Sequence, residues 1–484
     1  MALPVSMKTT TLATESDIPS SLKVQDSWAE TAVRRRLYVL RRLRQMLTET
    51  ERNLLDAFSP RLNRTRADSL ASELLPLLDA CRFLERDAVN ILKPKNLGGK
   101  GRPFWLSGLE TRIERVPHGT VLVIGPANYP LLLAGVQVLQ ALVAGNAVVW
   151  KPGRGGEPLA RMFAATASRA GLPDGLLRVT DDSVEAGILE LERHPDKVCF
   201  TGSFTVGLKV IRRCAELVIP AVAELSGCDA VIVLPGADTS LVASALEFGM
   251  RLNGSSTCMA PRRLLLVGQD HDVLLGELSE RFARMQSIEI APEARLQLDL
   301  MLDDARQLGG RVVGDTGKLC INPLLVLSGT PTMALAHSDL GLPVLTVLQT
   351  SGIEDLLHMH SACEFTLTAA IFGNPVEAEA LGSRLKAGTI LINDLIVPTA
   401  DPRVPFGGRG ASGFGLTRGA EGLLEMTAVK VVAVRKGSSR RHFAATTTEH
   451  EILFRGVIEM SHGKTWATRW AGLRHMFAAS RKLK

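Results

Sequence analysis

Cys258 and Glu224 are the side chains of this sequence best placed for covalent chemistry. Cys258 ends the run Asn253-Gly254-Ser255-Ser256-Thr257-Cys258, and Glu224 stands 34 residues earlier in Ala223-Glu224-Leu225-Ser226-Gly227. A thiolate that adds to a carbonyl needs a sulfur that substrate can reach, and the acyl group it acquires must later be passed to water by a base. A buried inert thiol is the commonest fate of cysteine, but the small polar residues ahead of Cys258 are unlike a core strand and argue for a nucleophile. For Glu224 the plain alternative is a strand-end carboxylate paired with a cation.

Two further segments suit an anionic ligand. Phe200-Thr201-Gly202-Ser203-Phe204-Thr205-Val206-Gly207 follows a short strand and opens a helix. Backbone amides at a helix start attract phosphate, and Gly202 and Gly207 let the chain approach it closely. Gly145-Asn146-Ala147-Val148-Val149-Trp150-Lys151-Pro152 ends a strand on Lys151, a point cation where an open sheet binds its ligand.

The elements that must position these groups are legible from periodicity. Residues from about 24 to 92 read as helix, with Leu37, Leu40 and Leu43 at spacings of three. After the Gly/Lys loop at 95–101, strand and helix alternate: strand 120–124, helix 131–143, strand 147–151, helix 158–170, and onward through 177–180, 184–192, 197–201 and 206–217. That alternation predicts an open parallel sheet of the nucleotide-binding type. A second α/β series begins at strand 230–233, with a helix at 240–253, strand 262–267, one long helical stretch to about Gln307, and strand 389–393. The fold class is therefore α/β, with two doubly wound open-sheet domains and a C-terminal tail.

Composition narrows the class. At 484 residues and 46% apolar the chain is too long for one ordinary core and too hydrophobic for disorder. The longest apolar run, 131–145, is shorter than the roughly 20 residues of a bilayer crossing. The Ser/Thr-rich start lacks a signal-peptide apolar core, so a cytoplasmic location is expected. Seven scattered cysteines show neither metal-site nor disulfide spacing, so no metal is expected. The net charge of +6 collects at the two ends, which suits an enzyme with anionic cofactors rather than a nucleic-acid binder.

With Gly125-Pro126-Ala127-Asn128-Tyr129-Pro130 upstream and Pro405-Phe406-Gly407-Gly408-Arg409-Gly410-Ala411-Ser412-Gly413-Phe414-Gly415 downstream, the order of segments over residues 30–435 resembles the aldehyde dehydrogenase superfamily. Tyr129-Pro130 is closest in flavour to its fatty and aromatic aldehyde branch. The resemblance implies oxidation of an aldehyde to a carboxylic acid through a Cys258 thiohemiacetal and thioester, with NAD or NADP. Asn128 and the Cys258 amide then hold the oxyanion, and Glu224 activates water. It implies cofactor contacts at Lys151, Arg154, Gly202, Ser203, Gly207 and Asp339, the last within Asp339-Leu340-Gly341-Leu342-Pro343.

Departures from the family pattern are informative. The usual Lys-Pro-Ser-Glu becomes Lys151-Pro152-Gly153-Arg154, an arginine suited to a 2′-phosphate, with Glu157 as a rival ribose ligand. Ser255-Ser256 replace Gly-Gln, Ser226 and Cys228 replace Gly and Lys, and Asp339 replaces Glu. Two rival readings follow: an acylating relative that passes the thioester to coenzyme A, and a degenerate member that binds a dinucleotide without turnover.

The expected organisation is a flexible leader (1–23), N-terminal helices plus dinucleotide domain (24–225), catalytic domain (226–404), return segment (405–435) and basic extension (436–484). A small-molecule aldehyde and further copies of the chain are the expected partners, with no nucleic acid. Trp466, Trp470, Leu473 and Phe477 fall on one helical face among Arg469, Arg474, Arg481 and Lys482. Docking on the enzyme's own surface is the favoured role for that face, ahead of a partner subunit or a membrane.

Overall fold

The computed structural model describes residues 20–483 apart from 63, 269, 270 and 438–440, so residues 1–19 of the expected leader lie outside the described residues. The chain divides into two compact units. One comprises the residues up to Lys95 with Ile113–Lys430, the other Asn96–Arg112 with Val431–Lys484.

The first unit holds two open sheets. The first sheet orders Gly413–Phe414, Ala221–Glu224, Lys197–Thr201, Thr120–Ile124, Ala147–Lys151 and Leu177–Val179. Every neighbouring pair is parallel except the first, where Gly413 lies opposite Glu224 in antiparallel register. Strands such as Ala-Val-Val-Trp-Lys and Lys-Val-Cys-Phe-Thr are buried at all five positions, the near-continuous apolar run of a sheet covered on both faces. The helix Leu132–Ala144 is buried at every residue, which is why its sequence is hydrophobic all round.

The second sheet orders Arg311–Val313, Leu324–Leu327, Val344–Thr350, Pro261–Val267, Asp229–Val233, Thr368–Phe372 and Thr389–Ile392. It is parallel apart from its first strand. The two expected α/β series are thus present as parallel sheets. The long helix expected up to Gln307 is instead two helices, Asp272–Arg284 and Pro292–Gln307, with the short strand Ile288–Glu289 between them. Pro292 has no N–H to continue a helix and sits where a new one starts, a position at which that N–H has no partner to lose.

The second unit contains the outer parts of a three-stranded sheet (Lys95–Asn96, Leu109–Pro117, Thr427–Arg435) and a hairpin of two helices, Thr448–His462 and Trp466–Lys482. The second of these is the helix read from the Trp466 to Phe477 spacing.

Candidate active site

The strand Ala221–Glu224 delivers Glu224 at its C-terminal end, paired with Thr201 on one side and Gly413 on the other. The glycine-rich return segment therefore fixes the position of the carboxylate. Glu224 is buried, its Oε2 accepts a hydrogen bond from Thr417 Oγ1 at 3.2 Å, and its Oε1 has no partner. Burial pushes its carboxyl above the ordinary value, against the opposing pull of the Arg418 guanidinium.

Cys258 follows a strained loop. Asn253, Gly254 and Ser255 hold φ of 51°, 59° and 64° in succession, and a left-handed backbone costs about 1–2 kcal/mol at each non-glycine residue. Arg262 offsets that cost. Its guanidinium is almost wholly buried and donates to Ser255 O at 2.6 Å, Ser255 Oγ at 2.7 Å, Leu342 O at 3.0 Å and Asp339 Oδ1 at 2.9 Å. One side chain so ties the cysteine loop to the Asp339 loop. Burial raises the Cys258 thiol well above its ordinary value, reinforced by the charges of Glu224 and Asp229.

Asn128 meets the same loop from the other side. Its Nδ2 donates to Ser256 O at 2.8 Å, while Asn253 Nδ2 donates back to Asn128 O at 3.1 Å and Tyr129 shares a 2.7 Å hydrogen bond with Thr257 Oγ1. Behind Asn128 lies an ion pair that the sequence did not reveal. Glu73, on the π-turn Leu70–Leu74, is fully buried, bonds the Arg64 guanidinium, and accepts from Leu131 N at 2.9 Å and Leu132 N at 2.7 Å. It satisfies the first amides of the buried helix, and Arg64 also donates to Asn128 O at 3.3 Å. Glu73→Ala should destabilise the protein by about 3–5 kcal/mol in denaturant unfolding, because it leaves a buried cation and two amides unpaired.

Glu224, Cys258, Asn128, Gly202, Ser203 and Asp339 line one cavity of about 310 Å³. Cys258 also lines a second, mainly apolar cavity of about 270 Å³, whose walls include Tyr129, Leu132, Phe248, Met259, Ile396 and Arg418. Cys258, with Leu133 and Thr257, thus belongs to the lining of both. Arg418 is buried, donates to Thr399 O at 2.6 Å, and packs over the Phe406 ring at 4.8 Å. Its charge opposes the effect of burial on both Glu224 and Cys258. A larger hollow of about 420 Å³ in the second unit is lined by Asn96, Arg102, Glu110 and Arg112, and holds no nucleophile.

The remaining sequence-derived positions are more dispersed. Gly207 packs so that a Cβ there would come 2.3 Å from Leu225 Cδ2, so a larger residue would have to displace the Leu225 side chain. The helix Phe204–Glu216 starts at Ser203 with no side-chain cap, so its first amides are open to a phosphate. Lys151 is buried at its strand end, its ammonium lowered by burial and favoured by Asp182 and Asp181. Arg154 is exposed, and Glu157 bonds Arg161 at 2.7 Å. Asp339 reaches the cavity, but its Oδ1 already accepts from Arg262 and from Gly341 N. Lys151, Arg154 and Gly207 are not part of the shared cavity wall.

Comparison with known proteins places this geometry in context. The model of the aldehyde dehydrogenase family matches residues 6–432. A 4,4'-diapolycopene aldehyde oxidase of Methylomonas sp is 28% identical over 414 residues, covering 83% of this chain and 77% of that protein. The crystal structure of an NADP-dependent glyceraldehyde-3-phosphate dehydrogenase from Bacillus halodurans C-125 complexed with NADP aligns with a TM-score of 0.79 at 25% identity, over 86% of this chain and 90% of that one. A Mycobacterium tuberculosis aldehyde dehydrogenase complexed with NAD+ aligns with a TM-score of 0.77 at 23% identity, over 85% and 88%.

Proposed function

Since the chain belongs to the aldehyde dehydrogenase family and is an aldehyde-oxidising enzyme, we propose that Cys258 is its nucleophile, Asn128 its oxyanion donor and Glu224 the base that releases the acid. The observation that carries this reading is the placement of Cys258 on the wall of two cavities, one of them lined also by Glu224 and Asn128. An aldehyde in the apolar cavity meets the sulfur from one side. The other side is left to the cofactor.

In this scheme Cys258 first loses its proton to solvent, the thiolate adds to the carbonyl carbon, and the oxygen gains negative charge beside the Asn128 amide. One N–H of that amide is held by Ser256 O, which aims the group and leaves the second N–H for the oxyanion. A donor so oriented beforehand is commonly worth about 3 kcal/mol in a dry site. A dinucleotide held by Lys151, Gly202, Ser203, Gly207 and Asp339 would supply the hydride acceptor for the carbon attached to sulfur. Glu224 then takes a proton from water as it attacks the thioester, and Cys258 leaves with the acid formed.

The residues present fit a dinucleotide. The close-packed Gly202 and Gly207 turn and the uncapped helix start at Ser203 suit a pyrophosphate. Lys151 suits the adenosine ribose, the exposed Arg154 a 2′-phosphate, and Asp339 the nicotinamide ribose through the oxygen that Arg262 leaves open. We assign the cofactor half to 24–225 and the catalytic half to 226–404, with 405–435 returning to the first. Self-association into a homo-oligomer is proposed on the family resemblance alone. The apolar wall supports an apolar aldehyde, and the similar Methylomonas protein is named for 4,4'-diapolycopene aldehyde.

A panel of short, long-chain and aromatic aldehydes tested with NAD+ and with NADP+, read as absorbance of reduced nicotinamide, tests the reading. Turnover without added coenzyme A, fastest with apolar aldehydes, is expected. Product that forms only when coenzyme A is present would move the enzyme to the acylating branch.

A further inference from the structure

The hairpin Thr448–His462 and Trp466–Lys482 lies beyond residue 432, where the match to the family ends. Its helices cross at Gly456 and Gly472, where a Cβ on either would come 2.7 or 2.6 Å from the other's carbonyl oxygen. His475 Nδ1 meets Glu459 Oε2 at 2.9 Å along one edge of that crossing. At about 100° per residue, Trp466, Trp470 and Phe477 fall within about 40° of one another on the outer side of the second helix, away from Gly472. They are 77, 58 and 59% exposed and form one patch rather than scattered surface residues.

Charge decides what such a face suits. From Gly463 to Lys484 there are six Lys or Arg residues and no Asp or Glu. By the same spacing Arg474 and Arg481, both exposed, flank Trp470 and Phe477. The hairpin's acids are already engaged: Glu451 by Arg455, Glu459 by His475 and Glu449 by Thr447. A second copy of this face would bring like charge against like. Anionic lipid headgroups offer the opposite charge, and tryptophan and phenylalanine settle at the boundary between headgroups and acyl chains. Among the described residues no helix is long and apolar enough to cross a membrane.

We propose that the C-terminal hairpin is a docking surface for anionic lipid bilayers, lying in the headgroup plane with Trp466, Trp470 and Phe477 inserted and Arg474 and Arg481 on the phosphates. The proposal stands apart from the catalytic reading, since none of these residues belongs to the active site.

The test is co-sedimentation of the full chain with phosphatidylcholine vesicles, with and without about 30% phosphatidylglycerol. Partition at least about tenfold stronger to the anionic vesicles is expected, falling several-fold in high salt as the charges are screened. The triple variant Trp466→Ala, Trp470→Ala, Phe477→Ala should drop to the level of neutral vesicles while keeping aldehyde turnover in vesicle-free buffer. If the variant does not fold, the lipid and salt dependence of the native chain still decides. Equal partition to both vesicles, or none, overturns the proposal. So does a native chain that ignores vesicles while the variant runs as a smaller oligomer in size exclusion, which makes the face a contact between copies.

Discussion

Cys258→Ala is expected to reduce aldehyde-dependent formation of reduced nicotinamide by about 10⁴-fold or more, because removing a nucleophile removes the covalent route itself. The substitution takes away one sulfur from a residue that lines both cavities. Dinucleotide binding, measured by quenching of protein fluorescence, should therefore be retained. The other cysteines offer no substitute: Cys81, Cys199, Cys214, Cys228 and Cys363 are buried, and Cys320 is exposed, with none of them lining either cavity. Retention of more than a few per cent of the native rate would sink the assignment.

The raised pKa of that thiol has a consequence for chemical labelling. The thiolate is the form that alkylates, and burial with the neighbouring Glu224 and Asp229 charges disfavours it. Alkylation of the free enzyme should therefore be slow at neutral pH and accelerate above the ordinary cysteine range of about 8.5. A sluggish thiol in that assay is consequently no sign of a degenerate member. Turnover is the discriminating measurement.

What the sequence discloses and what it conceals divide along a physical line. The strand and helix alternation is visible because strands buried on both faces and the helices over them carry apolar patterns of their own within a few residues. Cys258, Glu224 and Asn128 are visible because each sits in a short segment whose small residues signal a turn. Arg262, Arg64 with Glu73, and Arg418 are invisible in the same text. Each is a charged residue that reads as solvated surface, and each meets partners that no local pattern points to: Arg262 meets Asp339 77 residues away, and Glu73 the Leu131 and Leu132 amides 58 and 59 residues away. The lone signal for Glu73 was a carboxylate in an otherwise apolar helical run. The break at Pro292 was legible in principle, since proline seldom continues a helix, but the apolar spacing on either side masked it.

Glu224→Gln should separate the two halves of the reaction. The amide matches the carboxylate in shape, so Thr417 keeps an acceptor and the strand pairing with Gly413 is undisturbed. Only the ability to take a proton from water is lost. Steady-state turnover is expected to fall by about 10²–10⁴-fold, the usual contribution of a positioned base. The first turnover should survive as a rapid burst of reduced nicotinamide, followed by a stalled thioester on Cys258 visible by mass spectrometry of the intact chain. The pH profile gives an independent sign. Glu224 works only when ionised, and burial lifts its pKa above the ordinary carboxylate value of about 4.3. Native deacylation should therefore rise with pH through a limb displaced upward from that value, and the limb should vanish in the glutamine variant. Arg418 opposes the shift, so Arg418→Met should move the native limb to still higher pH. A variant that hydrolyses its thioester at the native rate, with an unchanged profile, would remove Glu224 from the mechanism and leave its buried, half-partnered carboxylate as a structural group alone.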